Sequence, residues 1–281
     1  MPAPPPSFVV KTLADLTIDD EASFRHVGLY ADLKAVLTRD AVTFRVLPQS
    51  HAGRWDRALM LNLAFWSDGT SAARPQRGPH QAAEGGDILE SDRIPADVVL
   101  HVAWHHLASR AFASAPGTKP SADALFMGEA IASAFDVYLV GRLLGHAPRS
   151  SFLETQVPAM ADAATDAGAS DDAFEALLTS VALDPDKAFD DLRALLYDAS
   201  RALFRSNGAE DALRALASFD DHRFGAILHR YELANWVLYA RAYAEAGGGS
   251  DPRVEEVDQA LRKGNGLDGL SDRWGVTRAG P

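Results

Sequence analysis

The chain has 281 residues, 47% of them hydrophobic, enough to bury a sizeable core in one large domain or two modest ones. Its 39 Asp and Glu against 27 Lys and Arg leave a net charge of −12, which repels a phosphate backbone, and no basic cluster offsets it, so no nucleic-acid partner is expected. The absence of cysteine excludes disulfides, thiolate metal sites, iron–sulfur clusters and cysteine nucleophiles, which leaves nitrogen and oxygen as the ligands of any bound metal.

The proline-rich stretch at residues 1–7 (MPAPPPS) cannot form a regular helix and is expected to be a disordered tail. It lacks the charged leader, apolar run and small-residue cleavage site of a signal peptide, and no uncharged apolar stretch reaches the roughly 18 residues of a membrane span. A soluble cytoplasmic protein with no membrane partner is the expectation. Abundant alanine and an excess of Arg over Lys suggest a bacterial genome of high GC content.

Residues Leu29 to Leu37 place Leu29, Leu33, Val36 and Leu37 at helical spacing. VTFRVL (42–47) and ALMLNLAFW (58–66) read as strands and predict a small β portion near residues 40–66. Residues 67–92, rich in Gly, Pro, Ser and charge, are expected to form a long loop. A helix of about five turns is predicted from Pro95 through ADVVLHVAWHHLASRAF until SAPGTKP stops it. The next helix opens at Ser121 and closes at Gly145; its middle is apolar nearly all round, the pattern of a buried helix. Helical patterning continues over 151–166, 171–182, 185–206, 209–218, 222–246 and 252–263, with DPD, SNG and GGGSDP as breaks. The predicted fold is mainly α, with residues 8–150 holding the β portion and the long helices. Residues 151–263 are expected to form a helical extension on the same core, and 264–281 a loose tail.

Within the first long helix, HVAWHH sets His101 and His105 one turn apart on one face, the spacing at which two imidazoles share a metal ion. His106 is rotated by about 100° and points elsewhere. Glu129, in GEAIASAFD on the following helix, is positioned to add a carboxylate oxygen. Two histidines and one carboxylate leave coordination positions open, as catalytic sites do. With nine histidines, chance yields about 0.3 such His pairs in a chain of this length, so the spacing alone is weak. What strengthens it is that LHVAWHH and LFMGEAIASAF are apolar, where an uncompensated polar group costs several kcal/mol.

His101, Val102, Ala103, Trp104 and His105 occupy the five positions of a degenerate HExxH signature, and GEAIAS is similar to the glutamate-bearing segment of thermolysin-type enzymes. Over about 40 residues the chain resembles the gluzincin metallopeptidases. The resemblance implies a helical metallopeptidase-like core with His101, His105 and Glu129 as the metal ligands. Such a donor set, with open positions, suits zinc or ferrous iron. The resemblance also implies a changed chemistry. Val102 stands where the family carries its general base, and a valine neither takes a proton from water nor gives one to a leaving amine. The aspartate four residues after the ligand glutamate is Ser133 here, with Asp136 on nearly the same face.

Two functions follow from these residues. One is a divalent-metal-binding protein, a pseudoenzyme or an enzyme of non-peptidase chemistry, acting on a small molecule or protein not named by the sequence. The other is a non-catalytic helical binding or scaffold protein in which His101, His105 and Glu129, with or without Arg110, form a buried polar cluster. Elsewhere, His222 and His229 lie two turns apart with Glu232 and Asn235 beyond them, the reverse of a di-iron Glu-x-x-His order. His229, Arg230 and Tyr231 are candidates for a proton donor or oxyanion partner. His51 and His80 are expected in solvated loops. The glycine runs at 85–86 and 247–249 match no nucleotide-binding pattern, and no serine stands in a nucleophile context.

Overall fold

The computed structural model describes residues 9–46, 88–89, 91–113, 118–245, 250–264 and 266–276. The fold is mainly α. The chain divides into two compact units, Met1–His106 with Arg278–Pro281, and Leu107–Thr277.

The first unit is built on short strands. β1 (Val9–Thr12) pairs antiparallel with β3 (Thr43–Val46), from Val9 opposite Val46 to Thr12 opposite Thr43, and β3 pairs parallel with β4 (Ile88–Leu89). A separate parallel pair joins β2 (Thr17–Asp19) to β5 (Arg93–Pro95), where the Arg93 guanidinium grips Asp19. Lys11 Nζ reaches Asp92 Oδ2 at 2.8 Å. The β-branched content of these runs favours extended backbone. A four-residue turn, α1 (Glu21–Phe24), precedes α2 (Tyr30–Arg39), which buries Tyr30, Leu33, Val36 and Leu37 on one face as its periodicity predicts. Phe24, Leu33, Leu37, Phe44 and Ile94 are fully buried and form the centre of this unit.

Two expectations are corrected here. Of the predicted β portion, Thr43–Val46 is a strand; the stretch 58–66 lies outside the described residues. The partners of β3 come from residues 9–12 and from Ile88–Leu89, inside the predicted loop. Pro95 ends β5 and the helix α3 (Ala96–Phe112) opens at Ala96, one residue later than predicted.

The second unit is organised around α4 (Ala122–Leu144), 23 residues with buried side chains on nearly every face. Ser121 caps it, accepting from Ala124 N at 3.1 Å. By length and composition α4 passes for a membrane span, but 83% of its most apolar stretch is buried in the fold, as befits a core helix. α5 (Ser151–Asp166), α6 (Asp171–Leu183) and α7 (Pro185–Arg205) follow, each opened by a side-chain cap from Ser150, Ser170 and Asp184 respectively. α7 is strongly amphipathic: Phe189, Leu192, Leu196 and Ala199 are fully buried, and it is the principal neighbour of α4. Gly141 permits a close approach of α4 to the α6–α7 junction, since a Cβ there would stand 2.5 Å from the Val181 carbonyl oxygen and 3.0 Å from Pro185 Cγ.

α8 (Ala209–Ala217) and α9 (Leu233–Tyr243) pack on α7, and α10 (Pro252–Arg262) closes the unit. Arg193, 1% exposed, donates to Asp258 Oδ1 at 2.7 Å, and Asp258 also takes Arg262, which reaches Asp198 at 2.8 Å. This chain of charges ties α7 to α10. The N-termini of α4 and α10 are joined by Ser121 Oγ, which donates to Asp251 Oδ2 at 2.9 Å.

The predicted helix 222–246 is broken. Gly225–Tyr231 forms a 3₁₀ turn, Glu232 adopts φ +48°, and only then does α9 begin. The tight turn suits Gly225, because a Cβ there would meet the carbonyl oxygens of Phe219 and Asp220 at 2.7 and 2.6 Å. The segment after Gly264, expected to be loose, forms α11 (Gly266–Trp274), with Leu267 and Leu270 1% exposed.

Candidate metal centre

In the first unit, Val99, Leu100, Ala103 and Trp104 are fully buried and seat α3 by its apolar positions. That fixes the helix's rotation and leaves His101 and His105 stacked one turn apart. Their rings are tilted by 59° with centroids 4.7 Å apart, and the two Nε2 atoms stand 3.1 Å from one another. His105 is 5% exposed, whereas His101 retains partial exposure. One ring N–H can donate to the other nitrogen, or both nitrogens can face a shared cation, since neutral imidazole offers one lone pair.

His106 points away, as the helical rotation predicts. Its Nε2 meets Asp40 Oδ2 at 2.9 Å, and Asp40, the residue that ends α2, also takes Arg39 Nε at 2.9 Å. The Asp40 partner is 66 positions away and carried no sequence signal. Val102 is 5% exposed, packed among its apolar neighbours.

Glu129 lies on α4 between buried Gly128 and Ala130 and is itself partly exposed, rather than buried as its apolar context predicts. One ring nitrogen each of His101 and His105 and one carboxylate oxygen of Glu129 all lie within 4.8 Å of one another. Among the described residues no other group of three such side chains meets that test. Ser133, one turn beyond Glu129, is 7% exposed, and Asp136 is partly exposed.

The candidates near residue 230 separate clearly. His229 is exposed, and Arg230 Nη2 is taken by Gln156. The Tyr231 hydroxyl is buried without a hydrogen-bond partner among the described residues, and burial pushes its ionisation well above the ordinary tyrosine value. His222 Nδ1 accepts from Phe224 N at 3.2 Å, and burial pushes the imidazole below its ordinary value. Because His229 sits in the 3₁₀ turn and His222 precedes it, the two do not share a helical face. Glu232 and Asn235 are exposed and bond each other at 2.6 Å. His51 and His80 lie outside the described residues.

Comparison with protein-family models, with curated proteins and with solved structures returns no match for this chain.

Proposed function

We propose that the protein binds a divalent metal ion, zinc or ferrous iron, through His101, His105 and Glu129, and acts on a small molecule or protein by a chemistry other than standard peptide hydrolysis. The observation that carries this is the convergence of those three side chains, with donor atoms within 4.8 Å. The donor set fits. Two Zn–N bonds of roughly 2.0–2.1 Å spanning the observed 3.1 Å would subtend about 95–100°, between the octahedral and tetrahedral angles. Two imidazoles and a carboxylate suit zinc or ferrous iron and leave positions for a substrate atom. Partial exposure of His101 and Glu129 supports access from solvent.

A metal held there would supply Lewis acidity to a bound oxygen or carbonyl group. Val102 supplies no proton transfer, so a base would have to come from another residue or from the substrate.

Metal analysis of protein purified without chelator tests the proposal. About one equivalent of zinc or iron in the wild type, lost on His101→Ala or His105→Ala in folded protein, is the expected result. Absence of metal after reconstitution with either ion would overturn it and leave a hydrogen-bonded His pair.

A further inference from the structure

We infer that the second unit carries a separate binding site for a small monocarboxylate with a short apolar chain. A cavity of about 340 Å³ opens where the end of α7 and the start of α8 meet α9, with Leu203, Ala212, Ala234, Val237, Leu238 and Arg241 among its lining residues. Leu203 and Val237 are 8% and 5% exposed and make an apolar floor, while Leu238, 56% exposed, stands at the rim. Ligand sites span roughly 300–1,000 Å³ and combine apolar walls with a few placed polar groups. At the lower end of that range, the cavity suits an occupant of roughly ten heavy atoms rather than a nucleotide.

Arg241 sets the sign of the charge it takes. Its Nη2 donates to the carbonyl oxygens of Phe204 and Ser206 at 3.1 and 2.9 Å, and the guanidinium lies 5.8 Å from the Phe204 ring centroid. These contacts fix the side chain, while Nε and Nη1 make no hydrogen bond among the described residues. Either of these N–H groups can give a carboxylate oxygen a single charge-assisted bond, roughly twice as strong as a neutral one. The nearby first turn of α8 carries Glu210 and Asp211, the latter taken by Arg214. Anion preference therefore rests on Arg241 rather than on the end of that helix. An apolar amine meets the same floor but faces the guanidinium as a like charge. The site owes nothing to the His101 cluster, and the two stand or fall independently.

Titration of the full-length chain with hexanoate, hexylammonium and hexanol, followed by calorimetry and by backbone amide shifts, tests the assignment. Hexanoate is expected to saturate with a Kd on the order of 1 mM, the range for so few heavy atoms, and hexylammonium to bind at least about tenfold more weakly. Arg241→Gln keeps a donor for the α7 carbonyls and should weaken hexanoate about tenfold while leaving hexanol unchanged. Ala234→Phe, at an exposed position, fills the cavity and should abolish binding of both. Equal binding of hexanoate and hexylammonium, unchanged binding in Ala234→Phe with the circular dichroism of the wild type, or no saturable binding by any of the three compounds would overturn it.

Discussion

Zinc should stabilise the fold against heat, because an ion held by His101, His105 and Glu129 binds the native state and finds no preformed partner in the unfolded chain. At free zinc one hundred times its Kd the gain is about 2.7 kcal/mol. Globular chains unfold with an entropy of about 2.1 cal/mol/K per residue, or roughly 0.6 kcal/mol/K for 281 residues, so cooperative unfolding of the whole chain would move Tm upward by about 4–5 °C. Differential scanning calorimetry with and without zinc, at fixed pH and protein concentration, reads the shift. His105→Ala removes one of two nitrogens that stand 3.1 Å apart and should lose the zinc-dependent increment, whatever it does to the baseline. His106→Ala is the contrast: it breaks the 2.9 Å contact to Asp40 and lowers the baseline, yet keeps the increment, because that ring faces away from the cluster. A wild type indifferent to zinc, or a full increment in His105→Ala, would refute the assignment of these side chains as ligands.

Other expectations follow from single positions. Gly141→Ala would drive a methyl group to 2.5 Å from the Val181 carbonyl oxygen, so α4 and the α6–α7 junction must separate; urea denaturation should show a loss of about 1–3 kcal/mol. Burial raises the Asp190 carboxyl to about 6, above its ordinary 3.8, so the native state holds this proton more tightly than the unfolded chain. Its contribution to stability is complete below pH 3.8 and is lost as pH rises through about 6. The Tm of Asp190→Asn relative to wild type should therefore climb between pH 4 and pH 7, and a gap independent of pH would contradict this. Val102→Glu puts a carboxylate at a position 5% exposed and should cost about 3 kcal/mol by the same urea assay, without conferring peptidase activity on a peptide panel.

The helices from Ser151 to Ala217 were legible almost to the residue because their starts are chemical. Ser150, Ser170 and Asp184 each accept a backbone N–H at a helix opening, and Pro185 fits the first turn. The stacking of His101 on His105 was legible for a related reason, since helical periodicity alone sets two side chains four apart on one face; Glu129, on another helix, has no such periodic signal. The sheets were not legible. β3 finds its partners at Val9–Thr12 and Ile88–Leu89, runs of four and two residues too short to show a period, and such pairing is decided by tertiary contact. The break at Glu232 was hidden because apolar residues run through it; a left-handed backbone at a non-glycine position, with Gly225 crowded by two carbonyls, leaves little trace in composition. The cavity beside Arg241 needs three elements to meet, which no local pattern reports.

A single turn and a half of α3 sorts its side chains by rotation alone, and the consequence for chemistry is specific. His101 and His105 share a face, His106 turns to Asp40, and Val102, about 100° on from His101, is packed at 5% exposure. In hydrolases built on an HExxH helix, the residue after the first histidine is the one that handles the proton. Here that position is committed to the core, with Val99 and Trp104 fully buried on the same helix. Substituting a carboxylate there pits desolvation against packing, so reversion at one position does not rebuild a hydrolase. With Val102 committed to the core, any reaction at this cluster would draw its proton acceptor from the substrate or from another side chain. Polarisation or capture of a ligand, which needs no neighbouring base, is the chemistry these residues support most directly.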